Sequence, residues 1–105
     1  MRLIVLSLAL ASTFCIADPR NAPDPGYVPP NGLVPNAETA IAVAVAIWLP
    51  IYGTEEIQEQ RPFKAKLIKG IWHVEGSLPP GVPGGVAEAR ISKKDGRVLY
   101  VYHGK

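Results

Sequence analysis

The chain has 105 residues, with 11 lysine and arginine residues, 9 aspartate and glutamate residues and 1 cysteine. This length allows one small domain, and a formal net charge of +2 is too low for a nucleic-acid-binding domain. A lone cysteine excludes both a framework of intramolecular disulfides and a zinc site built from several cysteines.

The first 17 residues have the pattern of a secretory signal peptide. Arg2 precedes an apolar run, and small side chains stand at the −3 and −1 positions of a cleavage site after Ala17. The apolar run is too short to cross a bilayer, so we expect no stable membrane span. The expected product is periplasmic or secreted. A lipid anchor on Cys15 is the alternative, but Phe14 occupies a position where lipoprotein signals have a small residue.

Residues 18–35 are rich in proline, which predicts an extended leader, and the domain is expected to span residues 36–105. Asn36 is a good helix N-cap, and apolar residues at helical spacing predict a helix to about Leu49. We expect Pro50 to end or kink this helix, and Gly53 suits its C-cap. Residues 54–60 can add one more helical turn.

The segment "FKAKLIKGIWHVEG" predicts a β-hairpin with a two-residue turn at Lys69-Gly70. Pairing outward from the turn sets Leu67 opposite Trp72 and Lys64 opposite Glu75. This register separates the side chains by polarity, which a shift of one residue would destroy. The apolar face contains Phe63, Ala65, Leu67, Trp72 and Val74, and the polar face contains Lys64, Lys66, His73 and Glu75.

A second hairpin is predicted in "GGVAEARISKKDGRVLYVYHGK", closed by a three-residue loop at Lys94-Asp95-Gly96. In this register Ile91 pairs with Leu99 and Arg90 pairs with Tyr100. The apolar face then contains Ala87, Ala89, Ile91, Leu99 and Val101, and the opposite face contains Glu88, Arg90, Tyr100 and Tyr102. The sequence therefore predicts an α+β fold, with one main N-terminal helix packed on a four-stranded antiparallel sheet of two hairpins.

Residues that could support catalysis or bind a metal are sparse. His73 and His103 lack the spacing of metal ligands, and we interpret both as surface residues. We interpret Glu55, Glu56 and Glu59 as a solvated helix face. We therefore expect neither an enzyme nor a cofactor.

The polar face of the predicted sheet is the best candidate for function, because tyrosine and arginine are enriched among residues that anchor protein partners. The alternative is an ordinary half-polar sheet face in contact with water. The predicted partner-binding residues are Arg90, Tyr100, Tyr102, His73, Lys64 and Lys66.

Several motifs together resemble a known family. They are the helix "AETAI…PIYG", the strand "W-x-V-x-G-x-L-P", the hairpin "GGVAEA-x-I-x-K-x-x-G" and the terminal "HGK". In this order they resemble the small bacterial immunity proteins with a nuclear transport factor 2-like fold, over residues 36–105. The resemblance implies a reduced cystatin-like or nuclear transport factor 2-like cone, no catalysis and no cofactor. It also implies a cognate protein toxin as the partner, which the signal peptide would place outside the cytoplasm.

Two other functions stay open. The segment "VAEARISKKDGRVLYV" is similar to the hairpin of PepSY domains, which would make the chain a secreted peptidase inhibitor or a propeptide-type binding domain. An enzyme such as ketosteroid isomerase on the same fold ranks last, because the predicted inward side chains include no carboxylate.

Overall fold

The structure, a computed structural model, describes residue 24 and residues 26–105, and the predicted signal peptide lies outside the described residues. Within this part of the chain, two helices precede four strands. They are α1 (Ala37–Tyr52), α2 (Thr54–Gln58), β1 (Lys64–Ile68), β2 (Ile71–Glu75), β3 (Ala87–Ser92) and β4 (Val98–His103). The strands form one antiparallel sheet in the order β1-β2-β3-β4. The predicted helix on a four-stranded antiparallel sheet is confirmed.

Helix α1 begins where the sequence predicts and ends later. The Asn36 Oδ1 atom accepts hydrogen bonds from the backbone N–H and the hydroxyl of Thr39, both at 2.8 Å. The predicted end near Leu49 is wrong, because the helix continues through Pro50 to Tyr52. Proline removes one donor, so only one intrahelical hydrogen bond is lost in this last turn. The N–H of Gly53 then closes the helix by donating to the Leu49 carbonyl at 2.9 Å. The additional turn predicted after it is confirmed as α2.

One stripe of α1 packs against the sheet. Ala40, Ala44 and Trp48 lie four residues apart along the helix and are fully buried. The two alanines let the helix backbone approach the sheet, while the Trp48 ring fills the space beside Phe63, with ring centroids 5.8 Å apart. The Trp48 Nε1–H donates to the carbonyl of Glu88 at 3.2 Å, so its polar atom is satisfied. The sheet supplies the other half of this core with Trp72, Val74, Ala87, Ala89 and Ile91.

The first hairpin has the predicted register at every pair, from Lys64 opposite Glu75 to Ile68 opposite Ile71. Lys69 and Gly70 both have positive φ values, 47° and 78°, as a two-residue type I′ turn requires. The right-handed twist of the strands favours this turn, and the alternation of apolar and polar side chains fixes which residues pair.

The second hairpin departs from prediction near its loop. The pairs Arg90–Tyr100, Ala89–Val101 and Glu88–Tyr102 are confirmed. The predicted pairing of Ile91 with Leu99 is wrong, because a β-bulge shifts the register and sets Ile91 opposite Val98. The N–H of Ser92 donates to the Arg97 carbonyl at 2.9 Å, so the loop is one residue longer than predicted. Leu99 becomes the extra residue that a bulge leaves unpaired.

Two leucines predicted on the buried face, Leu67 and Leu99, are 42% and 41% exposed. A helix with its side chains is about 10–12 Å wide, whereas four strands spaced about 4.8 Å apart span about 14 Å between the outer two backbones. One helix therefore covers the middle strands and leaves the apolar face open near both sheet edges. The bulge adds to the exposure of Leu99, because it displaces that residue from the predicted alternation.

The last residues of the proline-rich leader pack on one end of the sheet, which we call the turn end because it carries the β1–β2 turn and the β3–β4 loop. The N–H groups of Leu33 and Val34 donate to the carbonyls of Lys94 and Lys93, both at 3.0 Å. Val34 is buried, and its carbonyl accepts a 2.8 Å hydrogen bond from the Trp72 Nε1–H. Residues further back, such as Tyr27, are exposed.

The opposite end of the sheet is closed by polar contacts and by two glycines. Gln60 is buried, and its Oε1 accepts a hydrogen bond from the N–H of Ala87 at 2.8 Å. The backbone crosses itself closely at Gly85 and Gly104, where a Cβ on Gly85 would overlap the Gly104 backbone. The motifs "GGVAEA" and "HGK" therefore carry their glycines at a backbone crossing. Among the described residues, no helix combines the length and apolar character needed to cross a membrane.

Trp72 should contribute strongly to stability, because its ring lies in the core and its N–H is the partner of a buried carbonyl. We expect Trp72→Ala to lower the free energy of unfolding by about 3–5 kcal/mol, measured by urea denaturation. Trp72→Phe should cost less, since it keeps much of the ring and loses the hydrogen bond to Val34. A loss under about 1 kcal/mol for Trp72→Ala would contradict the core position of this ring.

Pro50 should be a weak point of α1, because it is exposed and leaves one helical hydrogen bond unmade. We expect Pro50→Ala to raise the free energy of unfolding by about 1–2 kcal/mol, the helical gain being partly offset by a more flexible unfolded chain. Pro79→Ala, in the exposed loop after β2, is the matched control and should give no gain. Equal or lower stability of Pro50→Ala would show that the proline costs nothing here.

Candidate partner-binding site

The candidate site is the face of the sheet opposite α1, which we call the outer face. Alternate residues of each strand point to this side, and the register aligns them in rows across all four strands. The first row runs Lys66, His73, Arg90 and Tyr100, and the second runs Lys64, Glu75, Glu88 and Tyr102. The structure therefore brings all six predicted partner-binding residues onto one surface.

The outer face is concave. Its first three strands line a trough of about 500 Å³, large enough for several side chains of a partner. Ile68 lines it at the turn end, and the charged and imidazole side chains of the two rows line the rest. Because the trough lies on the side away from α1, it is a surface for contact rather than a cleft within the core.

Two tyrosines border the trough on β4. The rings of Tyr100 and Tyr102 stack with centroids 6.1 Å apart and planes inclined by 27°. They are 37% and 47% exposed, so a large part of each ring is available to a partner. The Arg90 guanidinium lies over the Tyr100 ring, 4.3 Å from its centroid, which holds this long side chain in one orientation. Less conformational entropy is then lost when the arginine binds.

The outer face carries unequal charge. In the first row, Lys66 and Arg90 flank His73, whereas in the second row Glu75 faces Glu88 on one side and Lys64 on the other, which leaves that row one negative charge in excess. Within the described residues, no carboxylate lies within ion-pair distance of Lys66 or Arg90. Like charges on adjacent strands cost stability unless something compensates them. The two ends of the trough therefore have opposite polarity.

The interpretation of His103 as a surface residue is wrong. It is half-buried on the other side of the sheet, with its ring 4.9 Å from that of Tyr52. Its Nδ1 lies 2.7 Å from the Gly104 carbonyl and its Nε2 lies 3.0 Å from the Gln60 amide nitrogen. Because the amide nitrogen can only donate, Nε2 accepts and Nδ1 carries the proton.

Glu56 contacts both Gln60 and His103, and the three side chains form a cluster that was not predicted from the sequence. The carboxylate is exposed, yet its Oε2 accepts from the Gln60 amide at 3.0 Å and lies 3.4 Å from His103 Nε2. The spacing of Glu56 and Gln60 by four residues was a usable signal, because helical geometry brings such residues together, and here it extends just past the end of α2 at Gln58. Nothing in the sequence pointed to His103, which arrives from β4. Gln60 uses its donors and acceptor within the fold, so this cluster fixes structure.

The described residues offer little for metal or acid–base chemistry. Among them, Gln60 is the one buried polar side chain, and its polar atoms are bonded. No three histidine, cysteine or carboxylate side chains of this part of the chain converge as metal ligands would. Asp95 lies in the β3–β4 loop and does not line the trough. The N–H of Arg97, which donates to it at 3.0 Å, lowers its pKa from the usual value.

The sequence of this chain is similar to a known protein family. A family model described as "NTF2 fold immunity protein" matches residues 39–105, which include almost all of α1 and every strand of the sheet. The chain is also 33% identical over 76 residues to an uncharacterized protein, YhhH, of Escherichia coli (strain K12). That alignment covers 71% of this chain and 60% of the relative, so the chain spans less than two thirds of the length of YhhH. No solved structure matches.

The matched region holds the entire sheet, and with it both the trough and the stacked tyrosines. A surface built for contact, without a catalytic cleft among the described residues, agrees with what the family name says of its members. Because the family model covers more than half of the chain, this protein belongs to the NTF2 fold immunity proteins, a family of non-enzymatic proteins.

Proposed function

We propose that this chain binds and neutralises a cognate bacterial toxin outside the cytoplasm, and that it does so through the outer face of its sheet. Membership of the immunity-protein family implies a toxin as the partner. The signal-peptide pattern of the first 17 residues supports an encounter outside the cytoplasm. The same family membership favours this function over the peptidase-inhibitor alternative.

The observation that carries the choice of surface is the alignment of eight polar and aromatic side chains in two rows around one trough. Binding energy at protein interfaces is concentrated in tyrosine, tryptophan and arginine residues that lie near the centre of the contact. Arg90 and Tyr100 are adjacent, already in contact, and next to the trough. A toxin loop seated there would meet a preformed anchor.

The exposed side of α1 is a poorer surface for a partner. Apart from Glu38 in the first turn, its exposed residues are Ala42, Ala46, Pro50 and Ile51, which are neither charged nor aromatic. Such a strip offers neither an aromatic anchor nor hydrogen-bond donors on its side chains. The two layers of the fold therefore differ in what they can bind, and the sheet layer is the better candidate.

The outer face is too small to form the whole contact. Four strands of about five residues cover about 14 by 17 Å, whereas a stable interface buries about 800 Å² on each partner. We expect the contact to continue onto the turn end, where the β1–β2 turn and the β3–β4 loop lie side by side. These two elements are joined by a 3.0 Å hydrogen bond from the Lys93 N–H to the Gly70 carbonyl.

The test is protection of a bacterium against a toxin. Each toxin domain encoded at the same locus as this chain is exported to the periplasm of a sensitive strain, with and without the full chain, and growth is measured. We expect the full chain to restore growth with one of these toxins. A variant that lacks residues 1–17 should fail to protect, because it would stay in the cytoplasm. Absence of protection by the full chain would refute the proposal, and equal protection by both forms would refute the location.

Tyr100→Ala should separate binding from stability, because Tyr100 is exposed and contacts Arg90. We expect toxin affinity to fall about fivefold or more, corresponding to about 1 kcal/mol or more, with little change in thermal stability. Ile51→Ala is the matched control, since Ile51 is an exposed large apolar residue on α1, and it should leave affinity unchanged. Loss of affinity in Ile51→Ala alone would move the interface to the helix layer.

A further inference from the structure

We infer that the turn-end half of the trough is a carboxylate-binding site, in which Arg90, supported by Lys66, holds an acidic side chain of the partner protein. The inference rests on the proposed function in one respect, namely that this partner is the toxin. Beyond the proposed function, it specifies that the segment of the toxin bound by the outer face carries an acidic side chain.

Charge is segregated along the strands, although the chain as a whole is nearly neutral. The turn end carries six cationic residues against two carboxylates, Glu38 and Asp95. The cationic residues are Lys66, Lys69, Arg90, Lys93, Lys94 and Arg97. The far end carries five carboxylates against three cations, Arg61, Lys64 and Lys105. The carboxylates are Glu55, Glu56, Glu59, Glu75 and Glu88. An acidic partner would be drawn to the turn end by this field.

Arg90 has the geometry of a carboxylate receptor. Its guanidinium carbon lies 4.3 Å from the centroid of the Tyr100 ring, a contact to a π-face that accepts no conventional hydrogen bond from its five N–H donors. Within the described residues, no hydrogen bond or ion pair uses these donors. A planar fork of N–H groups matches the two oxygens of a carboxylate, and such bidentate pairs are stronger than neutral hydrogen bonds.

Lys66 completes the site from the other side of His73. The three residues are directly opposite one another on β1, β2 and β3, so the backbones of Lys66 and Arg90 are about 10 Å apart along the row. Both side chains are long and flexible, so their charged groups can approach a carboxylate of the partner from either side of the imidazole. The row carries two cations and no carboxylate, so an acidic side chain of a partner would add the missing opposite charge.

The other half of the trough argues for a protein rather than a nucleic acid. Glu75 and Glu88 line the same trough and face each other across β2 and β3. A continuous phosphate backbone that followed the trough would pass from the cations to these two carboxylates and be repelled. A peptide segment can place acidic side chains over Arg90 and a polar or basic one over the glutamates. The polarity of the trough therefore fits a protein segment of mixed charge.

Binding to simple probes tests this inference without the toxin. The full chain, labelled with nitrogen-15, is titrated separately with capped hexaglutamate and with a six-nucleotide oligothymidylate, and backbone amide shifts are followed by NMR. We expect hexaglutamate to shift the amides of Lys66, His73 and Arg90 most. We also expect its affinity to fall about threefold or more between about 50 and 200 mM salt, because exposed charges are screened.

Variants distinguish a built site from general charge. Arg90→Ala should weaken hexaglutamate binding about tenfold, and Arg90→Lys should restore little of it, because lysine lacks the planar fork. Tyr100→Phe should bind like the parent chain, since it keeps the ring beneath the guanidinium. Arg97→Ala removes the same charge from the same end and should change binding less than about twofold.

Three outcomes would overturn the inference: shifts confined to other surfaces, equal losses in Arg90→Ala and Arg97→Ala, or tighter binding of the oligothymidylate than of hexaglutamate. Unperturbed amide spectra of the free variants would show that each remains folded. If these probes fail while growth protection succeeds, toxin neutralisation stands and the carboxylate site does not. If the probes succeed while protection fails, the site stands and the proposed partner does not.

Discussion

The whole structure depends on burying one face of a four-stranded sheet under a single helix. Trp48 and the alanine stripe before it form the helix side of this contact, and the apolar residues of the middle strands form the other. Burial of large apolar side chains is the main stabilising term of so small a domain, worth about 1.5–3 kcal/mol for each. Because one helix is narrower than four strands, the core is confined to the centre and both edges keep exposed leucines.

One-sided burial also creates the surface proposed to bind the toxin. In a strand, side chains alternate between the two faces, so every apolar residue directed to α1 leaves its neighbours on the outer face. The registers of three successive strand pairs then align these neighbours in rows, which brings Lys66, His73, Arg90 and Tyr100 together from four strands. The constraint that stabilises the core is thus the one that assembles the candidate site.

Both ends of the helix–sheet layer are closed by side chains that reach across the fold. At the turn end, Trp72 donates to the carbonyl of Val34, which fixes the last part of the leader against the sheet. At the other end, Gln60 bonds to the backbone of Ala87 and contacts Glu56 and His103. These contacts satisfy buried polar groups that would otherwise cost about 1–3 kcal/mol each, and they leave the outer face untouched.

The sequence by itself determined the elements, the register of the first hairpin and the membership of the outer face. Capping at Asn36, the turn at Lys69-Gly70 and the period-two alternation are local signals, and local signals can be read without the fold. Only the tertiary structure decided the bulge at Leu99, the burial of Val34 and the contact of His103 with Gln60. The physical reason is that the contacts of Val34 and His103 join residues distant in sequence, while the bulge departs from the regular pairing that period-two alternation predicts. No local pattern of residue types encodes these features.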